Sequence, residues 1–283
     1  MEILQLRYFC DAAHLQNFSA AAKKYGVPAS DISQTISRLE KELGTNLFDR
    51  KANRVLLNKK GEMFYTRIKK AIASIDEAKS IVRDHKGEID GEIKLLIQTN
   101  RRLVTQVMER FKKMYPKVTF SLSHSQSDNI DADLVISDRV PSLSKAEKIL
   151  LVDEKFILAA RKGDAALNAN GVSELSDQRF ITMHPGSSLY KYTVQICREA
   201  GFEPNIVIQS DDPYYIRKYV SMGLGIALVP EFSWHGQFEN DVQFRDICNV
   251  RRKTYVYATS GKYMSETSKK FLELLENMSE KNI

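Results

Sequence analysis

The sequence has few of the features that mark membrane, disulfide-rich or zinc-binding proteins. Its three cysteines, Cys10, Cys197 and Cys248, are isolated and form no CxxC pair, so neither a disulfide framework nor a zinc site is expected. No apolar run approaches the roughly 18 residues of a membrane span, and the N-terminus has no run of signal-peptide length. We therefore expect a cytoplasmic protein with reduced thiols and no membrane partner.

Motifs for catalysis are also missing from the sequence. The chain has no GxSxG, no HExxH and no phosphate-binding loop, and its five histidines are not spaced as a cluster. Gly223 and Gly225 precede a predicted strand instead of following one, so they are not a dinucleotide fingerprint. The sequence predicts no catalytic residue, no metal site and no cofactor.

The composition is that of a globular chain with a basic excess. With 283 residues, of which 43% are apolar and 28% charged, the chain is long enough for two domains or more. The net charge of +6 favours a polyanionic partner. Lysine and arginine far outnumber acidic residues between positions 50 and 70, which places the predicted nucleic-acid contact in the N-terminal part.

Residues 18–43 have the pattern of a helix-turn-helix, two short helices joined by a tight turn. Ser19 is placed to cap the first helix, and the alanines at 20–22 favour helix formation. Gly26 can end this helix in the left-handed conformation, and Pro28 suits the first turn of the next. An ordinary helical hairpin with a solvated polar face would share this pattern.

The second helix of the pair has an apolar stripe at helical spacing, formed by Ile32, Ile36, Leu39 and Leu43. Its other face carries short polar side chains that suit base edges and phosphates. A basic hairpin, or wing, is predicted directly behind it at residues 47–57. The predicted DNA-binding residues are Ser19, Ser30, Asp31, Ser33, Gln34, Thr35, Ser37, Arg38, Arg50, Lys51 and Arg54.

This segment resembles the DNA-binding domain of LysR-type transcriptional regulators. The motifs that carry the resemblance are LRYF at 6–9, FSAAA at 18–22, SRLEKELG at 37–44 and LFDR at 47–50. The resemblance continues more loosely along nearly the whole chain. It implies a sequence-specific DNA-binding regulator, not an enzyme, whose activity is controlled by a small-molecule effector.

The DNA-reading helix departs from the pattern of that family. It opens with Pro28, Ala29 and Ser30, and it has Asp31 where alanine is usual and Gln34 where arginine is usual. A carboxylate is unfavourable near phosphates unless it accepts from a cytosine amine. We therefore expect an altered DNA target with the docking mode kept.

Residues 59–88 form the next predicted unit, a linker helix of roughly 40 Å at 1.5 Å per residue. Apolar residues at alternating steps of four and three predict a coiled-coil seam made of Phe64, Ile68, Ala71, Ile75, Ala78 and Val82. Pairing of two chains through this helix, which the family also implies, predicts a homodimer or homotetramer on inverted half-sites of double-stranded DNA. A single amphipathic helix packed on its own domain is the alternative.

From residue 91 onward strands alternate with helices, which predicts an α/β fold with parallel sheets. Because the pattern occurs twice, we predict a bilobal regulatory domain like the periplasmic binding proteins, with crossing strands at 155–160 and 254–258. The connection between residues 123 and 133 is shorter than the helix usual in the family, so the first lobe should be smaller there. Further predicted strands are 93–98, 118–123, 133–136, 179–183, 206–209 and 226–229, and predicted helices are 103–114, 188–200, 214–222 and 265–278.

These elements divide the chain into three predicted parts. They are a winged helix-turn-helix at 1–58, a dimerisation helix at 59–88 and an effector-binding domain at 91–283. Within the last, residues 91–157 and 254–283 would form the first lobe, and residues 158–253 the second.

Ligands of such sheets bind beyond the carboxyl ends of the strands, where helix N-termini offer free amides and partial positive charge. The predicted effector-binding residues at these places are Thr99, Asn100, Ser125, Gln126, Ser187, Ser188, Gln209 and Ser210. A serine or threonine at a helix start is more often only a cap. Both lobes, however, present such residues to one cleft, so we predict a small, anionic effector.

Two other classes of protein share parts of this pattern. One is an enzyme with a helix-turn-helix appendage, which the missing catalytic motifs oppose. The other is an exported solute-binding protein, which would need no DNA-binding arm.

Overall fold

The computed structural model describes residues 1–51, 54–84, 89–124, 132–140, 147–234, 236–258 and 263–279. The chain divides into two compact units, Met1–Glu88 and Ile89–Ile283. Within the described ranges, no helix is both long enough and apolar enough to cross a lipid bilayer.

The N-terminal unit is a winged helix-turn-helix followed by a long helix. Its elements are α1 (Ile3–Leu15), α2 (Phe18–Tyr25), α3 (Ala29–Leu43), β1 (Phe48–Lys51), β2 (Arg54–Leu57) and α4 (Lys59–Asp84). Strands β1 and β2 are antiparallel and form the wing. Ile32, Ile36 and Leu39 are fully buried in the core, which confirms the predicted stripe, whereas Leu43 in the last turn of α3 is 37% exposed.

The local chemistry of the turn between α2 and α3 sets the helix ends. Asn17 caps α2, because its side chain accepts a hydrogen bond from the Ala20 amide at 3.0 Å. The prediction that Ser19 is the cap is therefore wrong, since the helix has already begun at the preceding residue. Gly26 ends α2 at φ 65°, as predicted. Pro28 is the extended residue just before α3, one position earlier than predicted.

A buried carboxylate joins α3 to the wing. Glu40 is 7% exposed, and its Oε1 accepts hydrogen bonds from the amides of Leu47 at 2.7 Å and Phe48 at 3.2 Å. The carboxylate gives partners to two buried donors that would otherwise be costly. It thereby fixes the start of β1 against α3, a role that the sequence did not suggest.

The first part of the predicted coiled-coil seam packs within its own unit. Phe64 and Ile68 lie against the core formed with α1, and the ring centroids of Phe9 and Phe64 are 5.2 Å apart. This differs from the prediction, because α1 already covers part of these two side chains. Further along α4, Ala78 is exposed and Val82 is 65% exposed.

The C-terminal unit alternates strands and helices. Its strands are β3 (Gly91–Ile97), β4 (Val118–Ser123), β5 (Leu134–Ser137), β6 (Glu147–Arg161), β7 (Arg179–Met183), β8 (Asn205–Ser210), β9 (Ala227–Pro230), β10 (Val242–Arg245) and β11 (Arg251–Ala258). Its helices are α5 (Arg101–Met114), α6 (Ser188–Glu199), α7 (Pro213–Ser221), α8 (Glu231–Trp234) and α9 (Glu266–Asn277), with short 3-10 helices at Ala165–Asn168 and Val172–Leu175.

Two lobes share the long strand β6. The first part of β6 pairs with β11, and the second part pairs with β9 and β10. In the first lobe β3 runs parallel to β4 and β5, and in the second β7 runs parallel to β8. Each lobe has its own core, with Phe111 and Phe271 in the first and Phe156 and Phe180 in the second. The predicted bilobal α/β fold is confirmed.

Most predicted elements of this unit agree with the structure to within about two residues. The exceptions are the crossing strands, since β6 begins at Glu147 and β11 at Arg251, well before the predicted starts. Helix α8 and strand β10 were not predicted. The shortened connection between residues 123 and 133 lies largely outside the described residues, so its expected effect on the first lobe stays a prediction.

Candidate functional sites

The first candidate site is the outer face of α3. Ile32, Ile36 and Leu39 turn one side of this helix into the core, so the polar residues lie on the opposite side. The exposed members are Ser30, Asp31, Gln34, Ser37 and Arg38, and the half-buried members at the edges are Ser33 and Thr35. Ser19 is exposed near the start of α2. The structure thus brings the predicted residues of α3 together on one face.

Asp31 also has a structural role at the start of α3. Pro28, the residue before the helix, offers no side-chain acceptor to the first amides. Asp31 is the acidic residue of the first turn, where a carboxylate is favoured by the helix dipole. The Ser30 hydroxyl donates to Asp31 Oδ1 at 3.2 Å. The carboxylate that is unusual for DNA binding therefore supports the helix that carries it.

Three predicted DNA-binding residues lie at the end of the wing. Strand pairing places Arg50 opposite Val55 and Lys51 opposite Arg54. The side chains of Arg50, Lys51 and Arg54 lie outside the described part of the structure. Their backbone positions bring three basic residues to one end of the hairpin.

The second candidate site is a cavity of about 760 Å³ in the C-terminal unit. It lies beyond the carboxyl ends of β3, β4, β5, β7 and β8, where ligands of such sheets bind. The first lobe contributes Gln98, Thr99, Asn100, Arg101, Arg102, His124, Asp138 and Arg139. The remaining lining residues are Met183, His184, Gly186, Ser187, Ser188, Leu189, Asp211, Asp212, Pro213, Tyr214, Arg217, Ser233, Trp234, Gln237 and Arg252.

Four of the predicted effector-binding residues line this cavity, namely Thr99, Asn100, Ser187 and Ser188. Gln209 and Ser210 are not in the described lining. Gln209 is exposed on β8, and the Ser210 hydroxyl accepts from the Asp212 amide at 3.2 Å in the turn before α7. The two aspartates that follow Ser210 line the cavity instead. Ser125 and Gln126 lie outside the described residues.

The two lobes use their predicted polar residues differently. Ser187 caps α6, because its hydroxyl accepts from the Tyr190 amide at 3.1 Å. Asn100 precedes α5 in the left-handed conformation with φ 53°, and its Nδ2 donates to Thr254 Oγ1 at 2.8 Å. Asn100 is 4% exposed. The capping explanation therefore accounts for Ser187 but not for the buried Asn100 side chain.

A buried ion pair lies where β6 and β11 cross between the lobes. Arg252 is 4% exposed, and its Nη2 donates to Glu154 Oε1 and to Ser233 Oγ, each at 2.7 Å. Glu154 is 1% exposed, and its Oε2 accepts from the Ser233 amide at 2.8 Å. This network ties both crossing strands to α8, and sequence reasoning missed it.

The lining of the cavity is rich in positive charge. It contains five arginines and three aspartates among the described residues, and α5, α6 and α7 all begin there. Arg217 lies against Trp234, with its Cζ 5.4 Å from the ring centroid, and burial lowers the pKa of its guanidinium. Arg139 Nη2 donates to the Gly186 carbonyl at 2.9 Å, which links the two lobes beside the cavity. Such a lining suits an anionic ligand.

The described part of the chain holds no group of three or more His, Cys, Asp or Glu side chains that could bind a metal ion. The two histidines of the cavity are held by the backbone. His124 Nδ1 lies 3.0 Å from the Ile97 carbonyl oxygen, and His184 Nδ1 accepts from the Gly186 amide at 3.2 Å.

Comparison with known proteins gives matches to both units. Residues 3–62 match the family described as bacterial regulatory helix-turn-helix protein, lysR family, and residues 86–279 match the LysR substrate binding domain. The transcriptional dual regulator GltC of Bacillus subtilis is 30% identical over 243 residues, which cover 82% of this chain and 81% of that protein.

Two solved structures have the same fold. A full-length structure of CbnR in complex with its target DNA has a TM-score of 0.69 at 20% identity, covering 99% of this chain and 100% of that one. The regulatory domain of Synechocystis CcmR in complex with 2-PG has a TM-score of 0.60 at 19% identity, covering 68% of this chain and 98% of that domain.

Proposed function

The chain belongs to the LysR family of DNA-binding transcriptional regulators, which carry an effector-binding substrate domain, and from that premise we propose how its two sites act. In this proposal the outer face of α3 binds the major groove, the basic end of the wing binds phosphates, and two chains pair through α4 on inverted half-sites. The ligand cavity holds a small anionic effector and performs no catalysis. The protein acts in the cytoplasm, where its DNA is.

The observation that carries the effector proposal is the charge of the cavity. Five arginines and three helix N-termini surround it, and both features stabilise anions. The CcmR regulatory domain, which has the same fold, was solved in complex with 2-PG. An effector that binds two arrangements of the regulatory domain unequally would shift the balance between them and so alter DNA binding.

Footprinting tests the function as a whole. DNA upstream of the chain's own gene is incubated with the protein at physiological salt, with and without a panel of small carboxylates and organic phosphates. We expect a protected region with two inverted half-sites, whose length or intensity changes with one class of acid. Absence of any protected site would contradict the regulatory proposal, and turnover of a metabolite by the protein would favour the enzyme alternative.

Gln34→Arg should change the DNA sequence that the protein prefers. Glutamine pairs best with adenine and arginine with guanine in the major groove, and one good bidentate contact is worth about 1–3 kcal/mol of discrimination. Binding selection from a random DNA library should therefore show a change of base preference at one position of each half-site. Asp31→Ala should relax preference at a neighbouring position.

Gln16→Arg provides the matched control for the Gln34 variant. Gln16 is an exposed residue that ends α1 and is not part of α3. The added guanidinium should leave the selected sequence unchanged, even if overall affinity rises. An identical selected sequence for the wild type, Gln34→Arg and Asp31→Ala would show that these positions do not read bases.

Val82→Glu should weaken self-association through α4. Val82 is 65% exposed, so the change should not disturb its own unit, but in a paired seam it would bury one carboxylate from each chain. We expect the dissociation constant of the dimer, measured by sedimentation equilibrium, to rise at least about tenfold. Thr66→Glu, which adds the same charge to an exposed position on the opposite side of α4, should leave it unchanged. Equal association of all three proteins would exclude this seam.

A further inference from the structure

Arg217 differs from Arg139 and Arg252, the other two cavity arginines that are at least half-buried. Arg252 is paired with Glu154, and Arg139 donates to a backbone carbonyl. The Arg217 guanidinium makes no hydrogen bond or ion pair with any described residue, although it is half-buried against the Trp234 ring. Burial lowers the pKa of Arg217, whereas Asp212 and Tyr214 have the opposite, smaller effect. A desolvated cation fixed in this way gains strongly from an anionic partner.

Two buried acceptors lie on the other side of the cavity. Asn100 Oδ1 and Asp138 Oδ2 are shielded from solvent, and neither accepts a hydrogen bond from the described residues. Asp138 Oδ2 lies 3.7 Å from Arg252 Nη1, which is too far for a hydrogen bond. Buried acceptors without donors are costly. Both residues line the cavity, so a donor of a bound ligand could relieve this cost.

Both acceptors belong to side chains that contact the same face of β11. Asn100 binds Thr254, and Asp138 lies beside Arg252. Residues 252 and 254 are two apart on one strand, so their side chains point to the same face of the sheet. Asn100 and Asp138 belong to the first lobe, whereas Arg217 on α7 belongs to the second. The cavity therefore presents Arg217 from one lobe and the two buried acceptors from the other.

We propose that the effector is a bipolar acid, whose acid group binds Arg217 in the second lobe and whose hydroxyl or ammonium group donates to Asn100 Oδ1 and Asp138 Oδ2 in the first. This inference rests on the proposed effector cavity and narrows its ligand to one chemical class. A ligand of this kind contacts both lobes at once. It therefore binds more tightly when the lobes are close, which supplies the unequal affinity that regulation requires.

Acids on matched carbon skeletons test this proposal. Binding of butyrate, 4-hydroxybutyrate and 4-aminobutyrate to the full chain is measured by calorimetry, and propyl phosphate, 3-hydroxypropyl phosphate and 3-aminopropyl phosphate form a second series. In at least one series a donor-bearing acid should bind about tenfold more tightly than the unsubstituted one, because it satisfies buried acceptors. Comparison of the hydroxyl and amino members distinguishes a neutral donor from an ammonium group.

Variants assign the two ends of the ligand. Arg217→Gln should weaken every acid at least about tenfold. Lys218→Gln, which removes the same charge from the adjacent residue, should have no effect, since Lys218 pairs with Glu239 outside the cavity lining. Asn100→Gly, which accepts the left-handed backbone, should keep acid binding but remove most of the preference for a donor. Melting curves without ligand verify that each variant is folded.

The outcomes separate this inference from the function on which it rests. Equal affinity for substituted and unsubstituted acids, or unchanged binding by Arg217→Gln, overturns the inference. If the wild type binds these acids in either case and Ser187→Ala does not, the proposed effector cavity stands and only the bipolar ligand is wrong. If no acid of either series binds the wild type, both the bipolar ligand and the anionic effector are wrong, while the footprint still decides the regulatory function.

Discussion

Arg252→Met should lower the free energy of unfolding of the C-terminal unit by about 3–5 kcal/mol, because the change leaves Glu154 buried without its cation. The expected loss is large since the arginine also donates to Ser233 and both crossing strands depend on this contact. Trp234, the single tryptophan of the chain, is 9% exposed in α8 beside this network. Urea denaturation followed by its fluorescence therefore reports on the correct unit.

Arg251→Met is the matched control, with the same substitution at the adjacent residue. Arg251 pairs with Asp153 near the surface, where its side chain is 44% exposed, so the expected loss is below about 1 kcal/mol. The double variant Arg252→Met with Glu154→Met should recover part of the stability, because it removes the buried Glu154 carboxylate, whereas the buried Asp138 carboxylate, 3.7 Å from Arg252, still loses its cation. An Arg252→Met protein as stable as the control would show that the pair contributes little.

The same network explains why the crossing strands were poorly predicted. The first part of β6 contains Asp153 and Glu154, which interrupt its apolar pattern and mark it as a loop. Their partners Arg251 and Arg252 are 98 residues away in sequence. No local pattern reveals such a pairing, whereas strands such as β4 and β7 are defined by their own apolar runs and were predicted to the residue.

The sequence identified some residues of the cavity lining and missed others for a similar reason. Thr99 and Ser187 were found because each follows a strand and precedes a helix, a junction that is visible in the sequence. Arg217 lies in the middle of a helix and Trp234 at the end of a helix too short to predict. Asp138 is notable only because it is buried beside Arg252, which the sequence does not reveal. The tertiary fold brings such residues to the cavity, and no local sequence motif predicts them.

The start of α2 shows that local sequence also has limits in predicting helix ends. Asn17 and Ser19 are both good capping residues, and local propensity alone does not choose between them. The structure selects Asn17, since α2 begins at Phe18, whose side chain packs against the core of the winged helix-turn-helix. The apolar stripe of α3 was easier to predict, because three residues at helical spacing agree with one another.

Gly61→Ala should destabilise the N-terminal unit by about 3 kcal/mol, at the upper end of the cost of overpacking. A Cβ at this buried position would lie 2.1 Å from the Leu47 carbonyl oxygen and 2.8 Å from Leu57 Cδ2. The sign of the change in the free energy of unfolding is what tests this prediction most directly. In an ordinary helix interior the same change is stabilising by up to about 1 kcal/mol, because alanine is the better helix former.

The loss should extend to DNA binding because of what Leu47 connects. The backbone amide of Leu47 donates to the Glu40 carboxylate of α3, and its carbonyl oxygen accepts from the backbone amide of Asn58. The side chain of Asn58 in turn accepts from the Gly61 amide at the start of α4. Displacing that carbonyl therefore disturbs the junction between α3, the wing and α4. We expect at least about tenfold weaker binding to the footprinted DNA by fluorescence anisotropy, and a lower melting transition for this unit by calorimetry.

Gly171→Ala, where a Cβ meets only one atom at 4.0 Å, should change neither. A Gly61→Ala protein that is more stable than the wild type would show that the junction can open without cost, and the coupling of α4 to α3 through Leu47 would then be wrong.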